Sequence, residues 1–342
     1  MNSTTFARVT LIAGGGLAVL LAALLRLNES SVAAPTCGIA VTDAPDDGMV
    51  LIPGGRFRMG ADGIYLEEGP PVIRTVSSFY MSRHDVTNAQ FSRFVRETGY
   101  RTVAERSETG AAVFVMPDTN DTSTPLRWWQ MVPGANWRHP DGPGSNLMGR
   151  ERHPVVQIAY EDAEAYAVWA GLQLPTESQW EFAARGGKHD HSATTERRTA
   201  NSDELTANTW QGIFPFINSK ADGFVGTSPV GCYSANGYGL YDMLGNVWEW
   251  TTDVYSPRHE QPGEHQGFDP NNPGLPSRVI KGGSFLCASD VCMRYRPSAR
   301  QPHDEGLGTS HIGFRVIRSE PLRQVGAATP NIASVPDALS GP

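Results

Sequence analysis

The sequence predicts an α+β fold: one irregular, loop-rich domain with low regular secondary structure. Three observations carry this expectation. The chain has 36 glycines and 25 prolines in 342 residues, against 39% hydrophobic residues, so turns should outnumber long helices. Only three short helical patterns stand out, each stopped by glycine. No clean domain break interrupts residues 49–318, and a single irregular domain can reach this length.

The chain opens with Arg8, an apolar stretch from Val9 to Leu25, Arg26 and then small and polar residues. Residues 1–34 therefore read as an export signal. Two alternatives remain open: a signal peptide cut near Ser31-Val32-Ala33, or a membrane anchor whose apolar run is slightly shorter than the about 20 residues of a span. Cys37, behind Pro35 and Thr36, makes a poor lipoprotein signal. Both alternatives place the folded part outside the cytoplasmic membrane, where thiols tend to oxidise. Residues 35–48 form a Pro/Asp/Ala linker, and the Ala/Pro/Ser-rich residues 319–342 a disordered tail.

The core begins with Met49-Val50-Leu51-Ile52-Pro53-Gly54-Gly55-Arg56-Phe57, a short apolar strand ending in a turn. A capping box at Thr87 and Gln90 opens the first helix, which puts Phe91, Phe94 and Val95 on one face before Gly99. The second runs from about Glu161, grouping Ala163, Tyr166, Ala167 and Ala170, and stops at Gly171. A further capping box, Thr176 with Gln179, opens the third, where Trp180, Ala183 and Ala184 face inward before Gly186 and Gly187. Between the first two helices lie Arg127-Trp128-Trp129 and residues 134–140 (GANWRHP), too rich in Gly and Pro for helix. Their aromatics either line a peptide groove or plug a loop-rich core. A net charge of −8 and the lack of a Lys/Arg run argue against nucleic acid as a partner.

Four cysteines are present: Cys37, Cys232, Cys287 and Cys292. The last two are spaced C-x4-C, unlike a zinc ribbon, and no second such pair completes a tetrahedral zinc site. Two thiolates suit a soft monovalent ion such as copper(I), and Arg294, Arg296 and Arg300 nearby would favour thiolate. A short-range disulfide is the alternative.

Several segments together resemble the formylglycine-generating enzyme (sulfatase-modifying factor) family. They are residues 134–140 (GANWRHP), 174–180 (LPTESQW), 208–214 (NTWQGIF), 236–250 (NGYGLYDMLGNVWEW), 282–292 (GGSFLCASDVC) and 311–315 (HIGFR). The resemblance spans residues 49–318 and implies the family's irregular, C-type-lectin-like fold. LPTExxW and GNVWEW occur across a wider superfamily with varied chemistry. GANWRHP together with GGSxxC-x4-C is narrower and points to the oxidase branch.

The resemblance implies a copper-dependent oxidase that converts the cysteine of a sulfatase Cys-x-Pro-x-Arg motif to Cα-formylglycine, using O2 and a thiol reductant. It makes Cys287 and Cys292 the copper(I) ligands, joined by the substrate thiolate, and Ser284 the active-site serine, serving reactive oxygen or the substrate backbone. Trp248, Trp128, Arg300 and His311 would contact substrate. Two calcium sites are also implied. The first comprises Asn208 and Asp222 with the carbonyls of Thr209 and Phe224. The second comprises Asp242 and Glu249 with the carbonyls of Gly245 and Val247. All are oxygen donors, as a hard cation prefers.

There are departures. Residues 288–291 lack the His and Tyr common between the two cysteines. His311 stands where many members have Asn, to bond substrate, relay a proton or cap a loop. Residues 188–206 lack the Pro-Trp-Gly turn. Ala167 and Pro297 replace structural cysteines, so a stabilising disulfide would have to use Cys37 and Cys232. Two other readings stand beside the oxidase: an iron-dependent superfamily oxidase, which needs two His and a carboxylate on an open metal face, and a non-catalytic lectin-like binding module.

Overall fold

The computed structural model describes residues 37–117, 128–188, 206–259, 267–269, 272–289 and 291–319. The apolar segment 9–25, its cleavage site and the tail beyond Ser319 lie outside the described residues. The described residues from Gly38 onward pack as one unit. Among the described residues no helix is long and apolar enough to cross a membrane.

In chain order, β1 (Met49–Ile52) and β2 (Gly55–Met59) come first. The short strand expected from Met49 thus ends at Ile52, and the turn after it leads into a second strand. Pro53 has no N–H for a ladder, and a Cβ on Gly54 would lie 2.6 Å from the backbone at Ser78, so the chain breaks there. A 3-10 turn (Leu66–Glu68) leads to β3 (Val72–Val76), antiparallel to β2. Next, β4 (Phe79–Ser82) pairs antiparallel with β1.

The three expected helices are α1 (Asn88–Thr98), α3 (Tyr160–Trp169) and α4 (Glu177–Ala184), with a single turn, α2 (Val103–Arg106), after the first. Both expected capping boxes form, at Thr87/Gln90 and Thr176/Gln179, and Gly99 closes α1 in the left-handed region at φ 68°. At α3 the Asp162 carboxylate accepts the Ala159 N–H at 3.0 Å and so caps an end that has no Ser or Thr.

β5 (Ala111–Phe114) and β6 (Trp129–Val132) form a hairpin. Trp129, expected in an irregular loop, is therefore in a strand, because its backbone pairs with Phe114. Trp137 instead plugs the core at 1% exposure, edge-on to Phe91 at 5.2 Å.

The short β7 (Gly212–Ile213) and β8 (Ile217–Asn218) pair with each other. The main sheet is built from β9 (Trp248–Val254), β10 (Phe268–Asp269), β11 (Asn272–Lys281), β12 (Arg300–Asp304) and β13 (Ile312–Gly313). In it β11 lies antiparallel to β9, β10 and β12, and β13 runs parallel to β9. The last strand, β14 (Ile317–Ser319), returns to β4.

Where α4 crosses this sheet, buried charges replace apolar contacts. Lys281 is fully buried, with Nζ 3.0 Å from Glu181 and 3.5 Å from Glu177. Arg185 pairs with Glu181 at 2.6 Å and Arg300 with Glu177 at 2.7 Å. Such a network is tolerable only because each ion meets its counter-ion at hydrogen-bonding distance.

Candidate active site

β11 ends at Lys281, and the chain leaves the sheet through Gly282 and Gly283, both at positive φ. A Cβ on Gly283 would lie 2.9 Å from the Tyr295 Cα, and one on Gly282 3.1 Å from Trp180. A side chain at either would lift the loop from its bed. The turn that follows is closed when the Cys287 N–H donates to Ser284 O (2.9 Å) and the Cys292 N–H to Ala288 O (2.8 Å). This folding back brings the Sγ atoms of Cys287 and Cys292 to 3.1 Å. Both are free cysteines, whereas Cys37 and Cys232 are disulfide-bonded. Ser284 is fully buried in the same turn, its Oγ accepting the Leu286 N–H at 3.2 Å.

The sulfur pair behaves as one hydrogen-bonded unit. That bond, reinforced by burial, pushes the Cys287 thiol well above its usual range. The same bond, aided by the Arg294 backbone and guanidinium, draws Cys292 down to about 6. The proton thus resides on Cys287 and the charge on Cys292. Of the three arginines expected to favour thiolate, only Arg294 does so. Arg296 is bound to both Glu68 oxygens, and Arg300 donates Nε and Nη2 to Glu177 (2.7 and 3.1 Å), since a buried guanidinium requires its own counter-ion.

The four residues expected at the substrate divide into two pairs. Trp248 and Arg300 are each 2% exposed, Trp248 in the same apolar cluster as Cys287. Trp128 and His311 belong to an aromatic wall beside the cysteine loop. Trp128 meets Phe214 edge-on at 5.6 Å, Phe214 stacks with Phe114 at 5.8 Å, and Trp129 lies 4.7 Å from the His311 ring. Burial holds His311 well below the usual imidazole range, hence neutral, with Nδ1 2.9 Å from Thr309 Oγ1. Trp210 joins this wall to the loop, its N–H donating to Cys287 O at 2.9 Å. Phe114 and Phe214 were missed as site residues, because their role depends on a hairpin pairing that has no local signal.

The first candidate calcium loop brings Asn208, Thr209, Asp222 and Phe224 together. Asp222 Oδ1 accepts the Phe224 N–H at 3.0 Å, and its carboxylate also takes the Thr209 N–H. Asp222 and Gly223 also lie in a turn, closed by the Gly223 N–H donating to Lys220 O at 2.9 Å. In the second loop Asp242 accepts the Gly231 N–H at 2.6 Å. Glu249 already accepts three bonds, from Trp180 Nε1 at 2.8 Å and from Arg315 Nε and Nη2 at 2.6 and 2.8 Å. Asn246, held at φ 56°, ties the two loops to the cysteine turn. Its N–H donates to Asn208 O (2.8 Å), while its carbonyl accepts the Phe285 N–H (3.0 Å).

Asp85 carries no sequence signal and is the residue most unlike its surroundings. It is fully buried, neither carboxylate oxygen has a hydrogen-bond partner, and Arg315 approaches only to 3.5 Å. Burial, then repulsion from Glu249, pushes its pKa well up, and burial raises Asp242 to about 6. Three buried carboxylates thus surround a single guanidinium. A nearby hard cation fits this excess of negative charge and the oxygen-only donors of the loop. The paired sulfurs fit a soft monovalent ion. Among the described residues no three His, Cys, Asp or Glu side chains converge as a metal-binding group, so the His and carboxylate face wanted by an iron oxidase is not found there.

A family model for the sulfatase-modifying factor enzyme 1-like domain matches residues 39–320. The formylglycine-generating enzyme of Mycobacterium tuberculosis (strain ATCC 25618 / H37Rv) is 47% identical over 296 residues, covering 79% of this chain and 97% of that protein. That of Mus musculus is 41% identical, covering 78% of this chain and 74% of that protein. The inactive C-alpha-formylglycine-generating enzyme 2 of Mus musculus is 38% identical, covering 81% and 87%. Among solved structures, PvdO from Pseudomonas aeruginosa covers 84% of this chain and 100% of its own, with a TM-score of 0.56 and 24% identity, a likeness of fold.

Proposed function

Since the chain belongs to the sulfatase-modifying factor enzyme family, we propose that it converts a cysteine in a sulfatase Cys-x-Pro-x-Arg segment to Cα-formylglycine. The observation that carries this reading is the free Cys287–Cys292 pair, sulfurs 3.1 Å apart beside an aromatic wall. The proposed reaction consumes the substrate thiomethyl group (Cβ with its thiol), O2 and two reductant thiols. It yields the aldehyde, hydrogen sulfide, water and one reductant disulfide, so the Cβ–S bond breaks and a C=O bond forms.

Cys287 and Cys292 would hold copper(I), which supplies one-electron chemistry toward dioxygen when bound. The protein residues would bind and orient. Trp128, Trp129 and His311 line the wall on which the substrate backbone lies. Ser284, lodged in the cysteine turn, serves reactive oxygen or the substrate backbone. Loss of one hydrogen from the substrate Cβ and the proton from its thiol, with two electrons passing to O2, gives a thioaldehyde; two reductant thiols supply the other two electrons and protons that turn O2 into two waters, and one water hydrolyses the thioaldehyde to the aldehyde and hydrogen sulfide. Calcium in the loops at Asn208/Asp222 and Asp242/Glu249 would brace the turn through Asn246. Export by residues 1–34, with cleavage or retention as an anchor, places this chemistry outside the cytoplasmic membrane.

A non-catalytic binding module remains the competing reading, because an inactive relative matches at 38% identity. Both free cysteines favour the oxidase. Capture of product aldehyde by an aminooxy probe separates the two: the oxidase labels its peptide, and the binding module retains it unlabelled.

A further inference from the structure

The segment just before β3 makes contacts to the cysteine loop that the proposed chemistry does not use. The Tyr65 hydroxyl accepts the N–H of Met293, the residue after Cys292, at 3.2 Å. Its ring lies 3.9 Å from the Arg294 guanidinium carbon, and Glu67 pairs with the same guanidinium. Glu68, fully buried, binds Arg296, whose Nε donates to Met293 O at 2.6 Å. The peptide groups flanking Met293 are thus gripped at both N–H and C=O. The segment is itself anchored: Ala61 N–H donates to Glu68 O (3.0 Å), and Gly60 N–H to Glu181 of α4 (2.7 Å).

The two cysteines are supported unequally without this grip. Cys287 is 2% exposed and tied to Trp210. Cys292 is half-buried; its backbone is fixed by the bond to Ala288 O, and its sulfur is met by Arg294, the residue that Tyr65 and Glu67 hold. We propose that Tyr65, with Glu67 and Glu68, is a positioning residue that holds Cys292 Sγ against Cys287 Sγ, so that the pair is presented as a ready two-sulfur ligand. Ordering the second sulfur in advance lowers the entropy cost of whatever the pair binds or forms. The role in metal binding rests on the copper reading; the positioning itself can be tested without metal.

The test uses metal-free chain in a glutathione redox buffer. Each Cys287–Cys292 disulfide formed reduces one oxidised glutathione to two thiols, and the equilibrium constant reports how well the sulfurs are held together. Tyr65→Phe removes only the hydroxyl, so the constant should fall about three- to tenfold, the worth of one hydrogen bond. Tyr100→Phe removes a tyrosine hydroxyl bond to Asp162 that involves no residue of the loop and should leave the constant unchanged. A Tyr65→Phe constant equal to wild type, or an equal fall in both variants, overturns the proposal. Should Tyr65→Phe fail to fold, Glu67→Gln takes its place with the same two outcomes. Wild-type protein that binds no copper(I), while the Tyr65→Phe constant still falls, would remove the copper reading and leave the positioning intact.

Discussion

The backbone N–H of Trp210 donates to the carbonyl of Cys287 at 2.9 Å, and two residues upstream the carbonyl of Asn208 accepts the N–H of Asn246 at 2.8 Å. The loops proposed to hold calcium and the loop proposed to hold copper are therefore joined through main-chain bonds. An ion in the former should stiffen the latter.

Calcium dependence should vary with pH in a defined direction. Asp242, raised to about 6, and Asp85, raised well above 3.8, bind protons in the folded chain that the unfolded chain has already lost. Without calcium, their contribution is therefore present at low pH and is lost as pH rises through the folded pKa values. Added calcium should raise Tm more at pH 7 than at pH 5, and Asp242→Asn should narrow that difference, leaving the share that Asp85 contributes. Thermal melts with calcium or a chelator, at both pH values, check this.

Cys292 should be the reactive sulfur of the metal-free reduced pair. Its pKa of about 6 makes it largely thiolate at neutral pH, whereas Cys287 is held protonated. Iodoacetamide labelling, located by peptide mapping, should favour Cys292, with a rate that rises through pH 6 and levels above about pH 7. Labelling centred on Cys287, or a rate still climbing through pH 9, would contradict the assigned polarity of the pair.

Trp129 is 38% exposed beside His311 and should act in binding rather than in chemistry. Trp129→Ala should raise KM for a Cys-x-Pro-x-Arg peptide about tenfold with kcat little changed, the pattern expected when contact with ground state and transition state is lost equally. Steady-state kinetics distinguish this from a fall in kcat at unchanged KM, which would place Trp129 in the chemical step.

Lys281 faces Glu181 and Glu177 with no exposure of its own. Lys281→Met should destabilise the fold by about 3–5 kcal/mol, because it leaves buried carboxylate charge less compensated. Chemical denaturation measures this directly, and an unchanged midpoint would show that Arg185 and Arg300 alone neutralise both glutamates.

What was legible in the sequence was local. The capping boxes at Thr87 and Thr176 involve residues three apart, and Gly99 closes the helix that the first one opens. The C-x4-C spacing is closed by a bond within the same turn. Hidden were pairings between distant segments: Arg296 is bound by Glu68, 228 positions away, and Arg300 by Glu177, 123 away. Seen alone, an arginine near a cysteine reads as a thiolate partner, and only the fold reveals its nearer carboxylate. Trp248, expected at the substrate, is 2% exposed, and the parallel pairing of its strand opposite Ile312, which sets that burial, has no local signal either. Asp85 gave no warning, since one aspartate before a helix cap is an ordinary surface pattern.

The most direct measurement is mass spectrometry of a Cys-x-Pro-x-Arg peptide incubated with the copper(I)-loaded protein, O2 and a thiol reductant, beside Cys287→Ser and Cys292→Ser. The expected result is a peptide in which the cysteine side chain has become an aldehyde, formed by wild type and by neither variant. An unchanged peptide from wild type under conditions that keep copper bound, or aldehyde formed equally by both variants, would contradict the assignment of the Cys287–Cys292 pair as the centre of the reaction.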